Sequence, residues 1–181
     1  MLTYQQAQQI LDAAELIYSE QTVAQTVHHM ALNITQLLSQ QQPLVLCVMG
    51  GAVVFAGQLL PKLPFPLDFD YLHLSRYNKQ LHGGEIQWRV EPGEDVKDRV
   101  ILVLDDILDE GITLAAIRDK VLENGAKAFY SAVFAEKRTG RPKPLQADFI
   151  GLTVPDRYVF GFGMDIHGAW RNLPAIYAVK D

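Results

Sequence analysis

The sequence predicts an α/β protein, an open and mostly parallel sheet flanked by helices. Three observations carry that prediction. Short continuous apolar runs recur at 44–48, 100–104, 131–135 and around 149–154, the pattern of strands buried on both faces. Helically spaced segments separate several of these runs, which argues for parallel strands joined through helices. The residues that follow the runs are Gly, Asp, Lys and Arg, and open α/β sheets hold ligands at the carboxyl ends of their strands.

Residues 3–42 read as helix in two pieces. Thr3 and Gln6 stand in capping-box spacing, and a second start falls near Ser19. Ile10, Ala14 and Ile17, then Val23, Val27, Met30, Ile34, Leu37 and Leu38, follow helical spacing on one face. His28 and His29 are adjacent, so they do not share a helix face, and they read as a solvated flank rather than metal ligands. Pro43 ends the region and the first apolar run follows. Phe65, Leu67, Phe69 and Tyr71 alternate with Asp68 and Asp70, as in a strand with one polar face. After the second run, Leu114, Ile117, Val121 and Leu122 form a helix face that stops at Asn124 and Gly125.

Composition bounds the function. The 181 residues are 49% apolar and 20% charged, enough for one well-covered core. The single cysteine, Cys47, excludes an intrachain disulfide framework and zinc sites built on cysteine pairs, and fits a reducing cytosol. A formal charge of −5 has the wrong sign for a chain whose bulk field attracts nucleic acid. No Lys or Arg precedes Lys62, so anionic ligands are expected on the remaining two-thirds. The start lacks a basic segment, and the longest apolar stretch, 44–56, is broken by Gly50 and Gly51. Neither a signal peptide nor a membrane span is expected, and the reading is a soluble cytoplasmic protein with no membrane partner.

The most informative segment is 100–113, a buried strand followed by three aspartates and a glycine turn into a helix. Backbone amides and Thr113 at that helix start form a phosphate seat. Carboxylates beside a phosphate would repel it unless they contact sugar hydroxyls or a cation, and a phosphorylated sugar with Mg²⁺ satisfies both demands. If the strand persists, Asp105 and Asp106 point to opposite faces and serve separate partners, while Asp109 is free to face a reacting centre. Rival motifs fail on spacing: no Gly-Lys dipeptide supports a Walker loop, and no dinucleotide fingerprint occurs. A calcium loop starting at Asp106 would need oxygen donors where Leu108 and Ile117 stand. An acidic helix cap remains the plain structural alternative.

The run VILVLDDILDEGITL at 100–114 resembles the phosphoribosyl-pyrophosphate motif of type I phosphoribosyltransferases. The resemblance extends over most of the chain. Residues 48–52 resemble the pyrophosphate loop, Ser75, Arg76 and Tyr77 a mobile lid, Lys137 and Arg138 the purine-contacting strand end, and 154–171 the hood. Together these are similar to the hypoxanthine-guanine branch. The resemblance implies one domain over 1–181, with a small hood contributed by the N-terminal helices and about 154–181. It also implies a homodimer or homotetramer.

Carried over residue by residue, the resemblance implies the following roles. Asp109 is the general base near purine N7, and Asp105 and Asp106 serve the ribose hydroxyls and Mg²⁺. Glu110, Gly111, Ile112 and Thr113 hold the 5′-phosphate. Met49 and Gly50, joined by a cis peptide, and Arg171 face pyrophosphate. Lys137 donates to the purine 6-oxo group, Tyr158 stacks on the base, and the backbone of Val159 and Asp165 reads its far edge. Asp165 also contacts the metal, directly or through water, and Arg76 and Tyr77 close over the site.

Some positions depart from the commonest pattern. Met49 stands where lysine is frequent, Arg76 replaces a lid serine, and Glu110 and Ile112 replace Thr and a basic residue. The Glu110 amide, rather than its carboxylate, is expected to face the ligand. Arg138, Arg141 and Lys143 read as solvated surface beside Lys137.

The substrates implied are phosphoribosyl pyrophosphate and a 6-oxopurine. Lys137 carries only donors, so it satisfies a 6-oxo acceptor and opposes the 6-amino donor of adenine. A xanthine-preferring transferase and a non-catalytic protein that binds phosphoribosyl pyrophosphate remain alternatives at this point.

Overall fold

The computed structural model describes residues 2–76 and 86–180. Its larger sheet has the order β4-β3-β2-β5-β6-β7, built from β2 (Leu44–Met49), β3 (Asp68–Arg76), β4 (Ile86–Val90), β5 (Val100–Leu108), β6 (Ala128–Lys137) and β7 (Phe149–Val154). Only β4 runs antiparallel, pairing with β3 at the edge. The others are parallel to their neighbours. The central strands are apolar on both faces because helices cover both: Val45, Cys47, Ile101, Val103 and Val133 are all at most 1% exposed.

Helix α1 (Tyr4–Ala13) opens with the expected capping box, the Thr3 hydroxyl accepting from the Gln6 amide and the Gln6 side chain accepting from the Thr3 amide. It buries no residue. The chain then departs from the expected two-piece helix, because Glu15–Tyr18 is strand β1, so Ile17 lies on a strand rather than a helix face. It pairs antiparallel with β9 (Ile176–Ala178), which pairs with β8 (Val159–Phe160), giving a second sheet of order β1-β9-β8. The pairing supplies a partner about 160 residues away, which local periodicity does not encode.

Helix α2 (Glu20–Leu38) starts at Ser19, whose hydroxyl accepts from the Thr22 amide. Its face Val23, Val27, Met30, Ala31, Ile34 and Leu38 packs into the core, while Leu37, expected on that face, is 50% exposed. Leu122 near the end of α4 (Ile112–Glu123) is likewise exposed, although Leu114, Ile117 and Val121 are buried as expected. Leu38 and Val121, next to the outlying leucines in the same last turns, are fully buried, so Leu37 and Leu122 lie to the side of the buried stripe rather than past its end. Asn124 and Gly125 end α4, with Gly125 at φ 87°. The short helix α3 (Val53–Leu59) packs Phe55, Ala56 and Leu59 into the same core. No helix among the described residues is long and apolar enough to cross a membrane.

Candidate active site

Strand β5 continues through the acidic pair to Leu108, so Asp105 and Asp106 alternate across the sheet as the sequence reading required. Asp105 is 8% exposed, and its carboxylate accepts from the Asp106 amide at 3.0 Å. Burial holds its pKa well above the usual carboxylate range, and the neighbouring Asp106 charge adds to the rise. Asp106 is raised by burial too, opposed by its hydrogen bond with Asp105 and by the Arg171 charge. The buried Cys47 thiol is pushed up to about 12, by burial first and then by Asp105 and Asp106, so it is no nucleophile at neutral pH.

The turn after β5 brings the chain into α4. Gly111 is the N-cap at φ 79°, a conformation that favours glycine, and no side chain caps the helix. The first-turn amides, at Ile112 and Thr113, have no partner within the helix. No acid lies in that first turn. An anion at this end meets free donors and the positive end of the helix dipole.

Six of the residues chosen from sequence line one cavity of about 190 Å³: Asp106, Asp109, Lys137, Tyr158, Val159 and Asp165. They come from β5, the turn after it, the end of β6 and the segment around β8. Ile107 and Met164 complete the lining. Lys137 Nζ donates to Asp109 Oδ2 at 2.8 Å, with the lysine side chain 15% exposed. A second cavity of about 470 Å³ continues from the same pair past Glu110 and Ile112. A cavity of about 620 Å³ lies between α1 and the 158–180 region and carries no carboxylate, so the chemistry does not gather there.

Arg171 spans the two acidic sides of the site. Its Nη2 pairs with Asp165 Oδ1 at 2.5 Å, its Nη1 donates to the Gly163 carbonyl at 2.6 Å, and Asp106 Oδ2 lies 4.0 Å away. The other Asp165 oxygen accepts from the Gly168 amide at 2.7 Å. Tyr158 is 47% exposed, and its ring stacks on His167 at 6.3 Å between centroids. Burial raises its hydroxyl pKa, with the Asp165 charge adding to the rise. The ring lines the cavity, where a planar ligand can stack on it.

Met49 ends β2, and the Met49–Gly50 peptide is cis, as the resemblance implied. These two residues do not line the 190 Å³ cavity. They reach it through Gly51, where a Cβ would overlap the Asp106 carboxylate, whereas a Cβ at Gly50 would meet open space. Arg76 ends β3 opposite Ile86. Tyr77 lies outside the described residues, so the lid is not described.

Lys143 is a correction to the sequence reading. It is 10% exposed rather than a solvated surface lysine, and its ammonium donates to the Leu108 carbonyl, to Glu136 and to the Lys137 carbonyl. A lysine between two prolines in a basic stretch carries no local signal of that burial. Gly163 was also missed; it is held at φ 100° against the Gly51 carbonyl.

Among the described residues no three His, Cys, Asp or Glu side chains gather into a metal cage. The oxygen set that is present suits a hard cation held by one or two carboxylates together with ligand oxygens. Asp105 and Asp106 are buried with their ionised forms disfavoured, an electrostatic deficit that a divalent cation would offset.

Comparison with known proteins agrees with this geometry. The phosphoribosyl transferase domain model matches residues 13–167. The hypoxanthine-guanine phosphoribosyltransferase of Bacillus subtilis is 30% identical over 170 residues, 93% of this chain and 94% of that protein. The hypoxanthine-guanine-xanthine phosphoribosyltransferase of Tritrichomonas foetus is 27% identical over 94% of this chain and 93% of its own length. A crystal structure of a hypoxanthine-guanine phosphoribosyltransferase from Bacillus anthracis superposes with a TM-score of 0.85 at 26% identity, covering 92% of this chain and 98% of that one. The acidic strand end, the open helix start and the match over nearly the whole chain lead to one conclusion: this chain belongs to the phosphoribosyl transferase family.

Proposed function

We propose that the chain is a purine-salvage enzyme that transfers the 5-phosphoribosyl group from phosphoribosyl pyrophosphate to N9 of hypoxanthine or guanine, giving IMP or GMP and pyrophosphate. The single observation that carries this reading is the cavity shared by Asp106, Asp109, Lys137, Tyr158, Val159 and Asp165, beside the open start of α4. The relatives with matching names support the purine assignment.

Lys137 and Asp109 stand side by side, one a donor and the other an acceptor. An incoming 6-oxopurine docks its N7/O6 edge across the pair, its O6 accepting from Lys137 and its N7–H donating to Asp109. The N9–C1′ bond then forms as the C1′–oxygen bond to pyrophosphate breaks, and the N7 proton passes to Asp109. Positive charge develops on the ribose in this displacement, and the ring carboxylates Asp105 and Asp106 favour it. The amides of Glu110, Gly111, Ile112 and Thr113, with the Thr113 hydroxyl, hold the 5′-phosphate.

Tyr158 stacks on the base, and the Val159 and Asp165 backbone reads the N1 and exocyclic edge. Arg171 moves from its carboxylate partners to pyrophosphate, which offers more acceptors for its planar fork. Met49 and Gly50 flank the leaving group. One or two of the carboxylates Asp105, Asp106 and Asp165 would hold Mg²⁺, which when bound supplies charge neutralisation to the diphosphate.

The enzyme works in the cytoplasm as a single domain with a terminal hood, assembled as a homodimer or homotetramer. Steady-state assays with hypoxanthine, guanine, xanthine and adenine test the reading. Hypoxanthine or guanine is expected to give the highest kcat/KM, and adenine as best substrate would overturn it.

A further inference from the structure

Beyond the residues already assigned, Lys143 sits at the point where β5 and β6 part. Leu108 and Glu136 form the last pairing between those strands. Asp109 lies just past that rung on one strand end, and Lys137, still paired with Val154 of β7, follows on the other. Lys143 Nζ donates to the Leu108 carbonyl at 3.0 Å, to the Lys137 carbonyl at 2.8 Å and to Glu136 Oε1 at 3.1 Å. An ammonium has three donors, and all three are used. With the side chain only 10% exposed, the tie is poorly screened by solvent, and Glu136 supplies the counter-charge.

The stem has a second role. A Cβ at Gly111 would lie 3.4 Å from the Lys143 Cβ and 3.3 Å from Pro144 Cδ, so the Lys143 backbone packs against the turn that opens α4. Pro142 and Pro144 restrict the backbone on either side.

We propose that Lys143 is a positioning residue for the transfer: its ammonium ties the ends of β5 and β6 together where their pairing stops and sets the separation of Asp109 and Lys137 to the spacing of the purine N7 and O6. This rests on the proposed function for its kinetic meaning, while the geometric tie stands independently of turnover. Lysine suits the task and arginine does not, because three acceptors converge on one point and a planar guanidinium cannot aim at all of them.

The test compares Lys143→Met, Lys143→Arg and Lys143→Cys treated with bromoethylamine, which rebuilds a lysine-length ammonium. Cys47, the only natural cysteine, is 1% exposed and does not compete for the reagent in the folded protein. The methionine variant keeps the stem against Gly111 and removes only the ammonium. It is expected to lose about tenfold to a hundredfold in kcat/KM for hypoxanthine, while KM for phosphoribosyl pyrophosphate stays within about twofold. Arginine is expected to recover little, and the aminoethylated variant to return to within about threefold of wild type.

A purely structural loop tie would move both KM values together, or would shift Tm alone, and either result overturns the proposal. So does a purine kcat/KM within about twofold of wild type in Lys143→Met. A crystal structure of that variant decides the geometric tie even if the wild type turns over no purine, an outcome that would sink the proposed function instead. An Asp109 Oδ2 to Lys137 Nζ distance still at 2.8 Å overturns the tie, and a broken contact supports it.

Discussion

Replacing Gly163 with alanine tests how the 158–171 region is held against the site. Gly163 adopts φ 100°, which L side chains rarely adopt, and a Cβ there would overlap the Gly51 carbonyl oxygen, with the carbonyl carbon at 3.2 Å. Backbone atoms cannot swing aside as a side chain would. The dihedral costs about 1–3 kcal/mol, and the overlap adds about 1–3 kcal/mol. For a chain of 181 residues, a total of about 2–6 kcal/mol lowers Tm by roughly 4–24 °C. Gly140→Ala is the control, because Gly140 also has positive φ, at 66°, but a Cβ there meets nothing within 4 Å. It carries only the dihedral cost. Scanning calorimetry of both variants gives the comparison, with Gly163→Ala expected to melt clearly lower. Equal Tm values for the two variants would refute the overlap argument. Gly163 also presents its carbonyl to Arg171, so the same variant is expected to weaken pyrophosphate inhibition.

Three further outcomes follow from named groups. An unpaired buried donor costs about 1–3 kcal/mol, so the wild type is expected to prefer hypoxanthine over adenine by about 5- to 150-fold in kcat/KM. Lys137→Met should collapse that ratio toward unity, and a ratio unchanged in the variant would remove Lys137 from purine selection. The raised pKa of Asp105 predicts a pH-dependent gain in stability for Asp105→Asn. A carboxyl whose folded pKa lies above its unfolded value contributes stability at low pH that is lost as pH rises through the folded pKa. The Tm difference, variant minus wild type, should therefore grow as pH rises above the ordinary carboxylate range in metal-free buffer, and a constant difference would contradict it. Asp105 and Asp106 titrate as a pair, so the profile reports the pair rather than one carboxyl.

Much of the fold was legible because burial on both faces forces continuous apolar runs, and those runs became β2, β5, β6 and β7. The caps at Thr3 and Ser19 were legible because capping is local chemistry. Strand β1 was not, since four residues with two exposed positions gain their partner from Ile176–Ala178. The candidate site was legible where residues sit just past a strand end, as Asp109 and Lys137 do. Lys143 escaped because its burial depends on acceptors from β5 and β6 that its own segment does not reveal. Leu37 and Leu122 show the converse limit: helical spacing identifies a face, but packing decides how wide the buried stripe is, and their neighbours Leu38 and Val121 are buried while they are not.

The central claim is that Asp109 receives a proton from a purine held beside an activated ribose. Steady-state hypoxanthine kinetics of Asp109→Asn test it most directly, since one data set yields both kcat and the KM for phosphoribosyl pyrophosphate. The account predicts a kcat lower by about 10²- to 10⁴-fold with that KM within about threefold of wild type. A variant that keeps its kcat would contradict it.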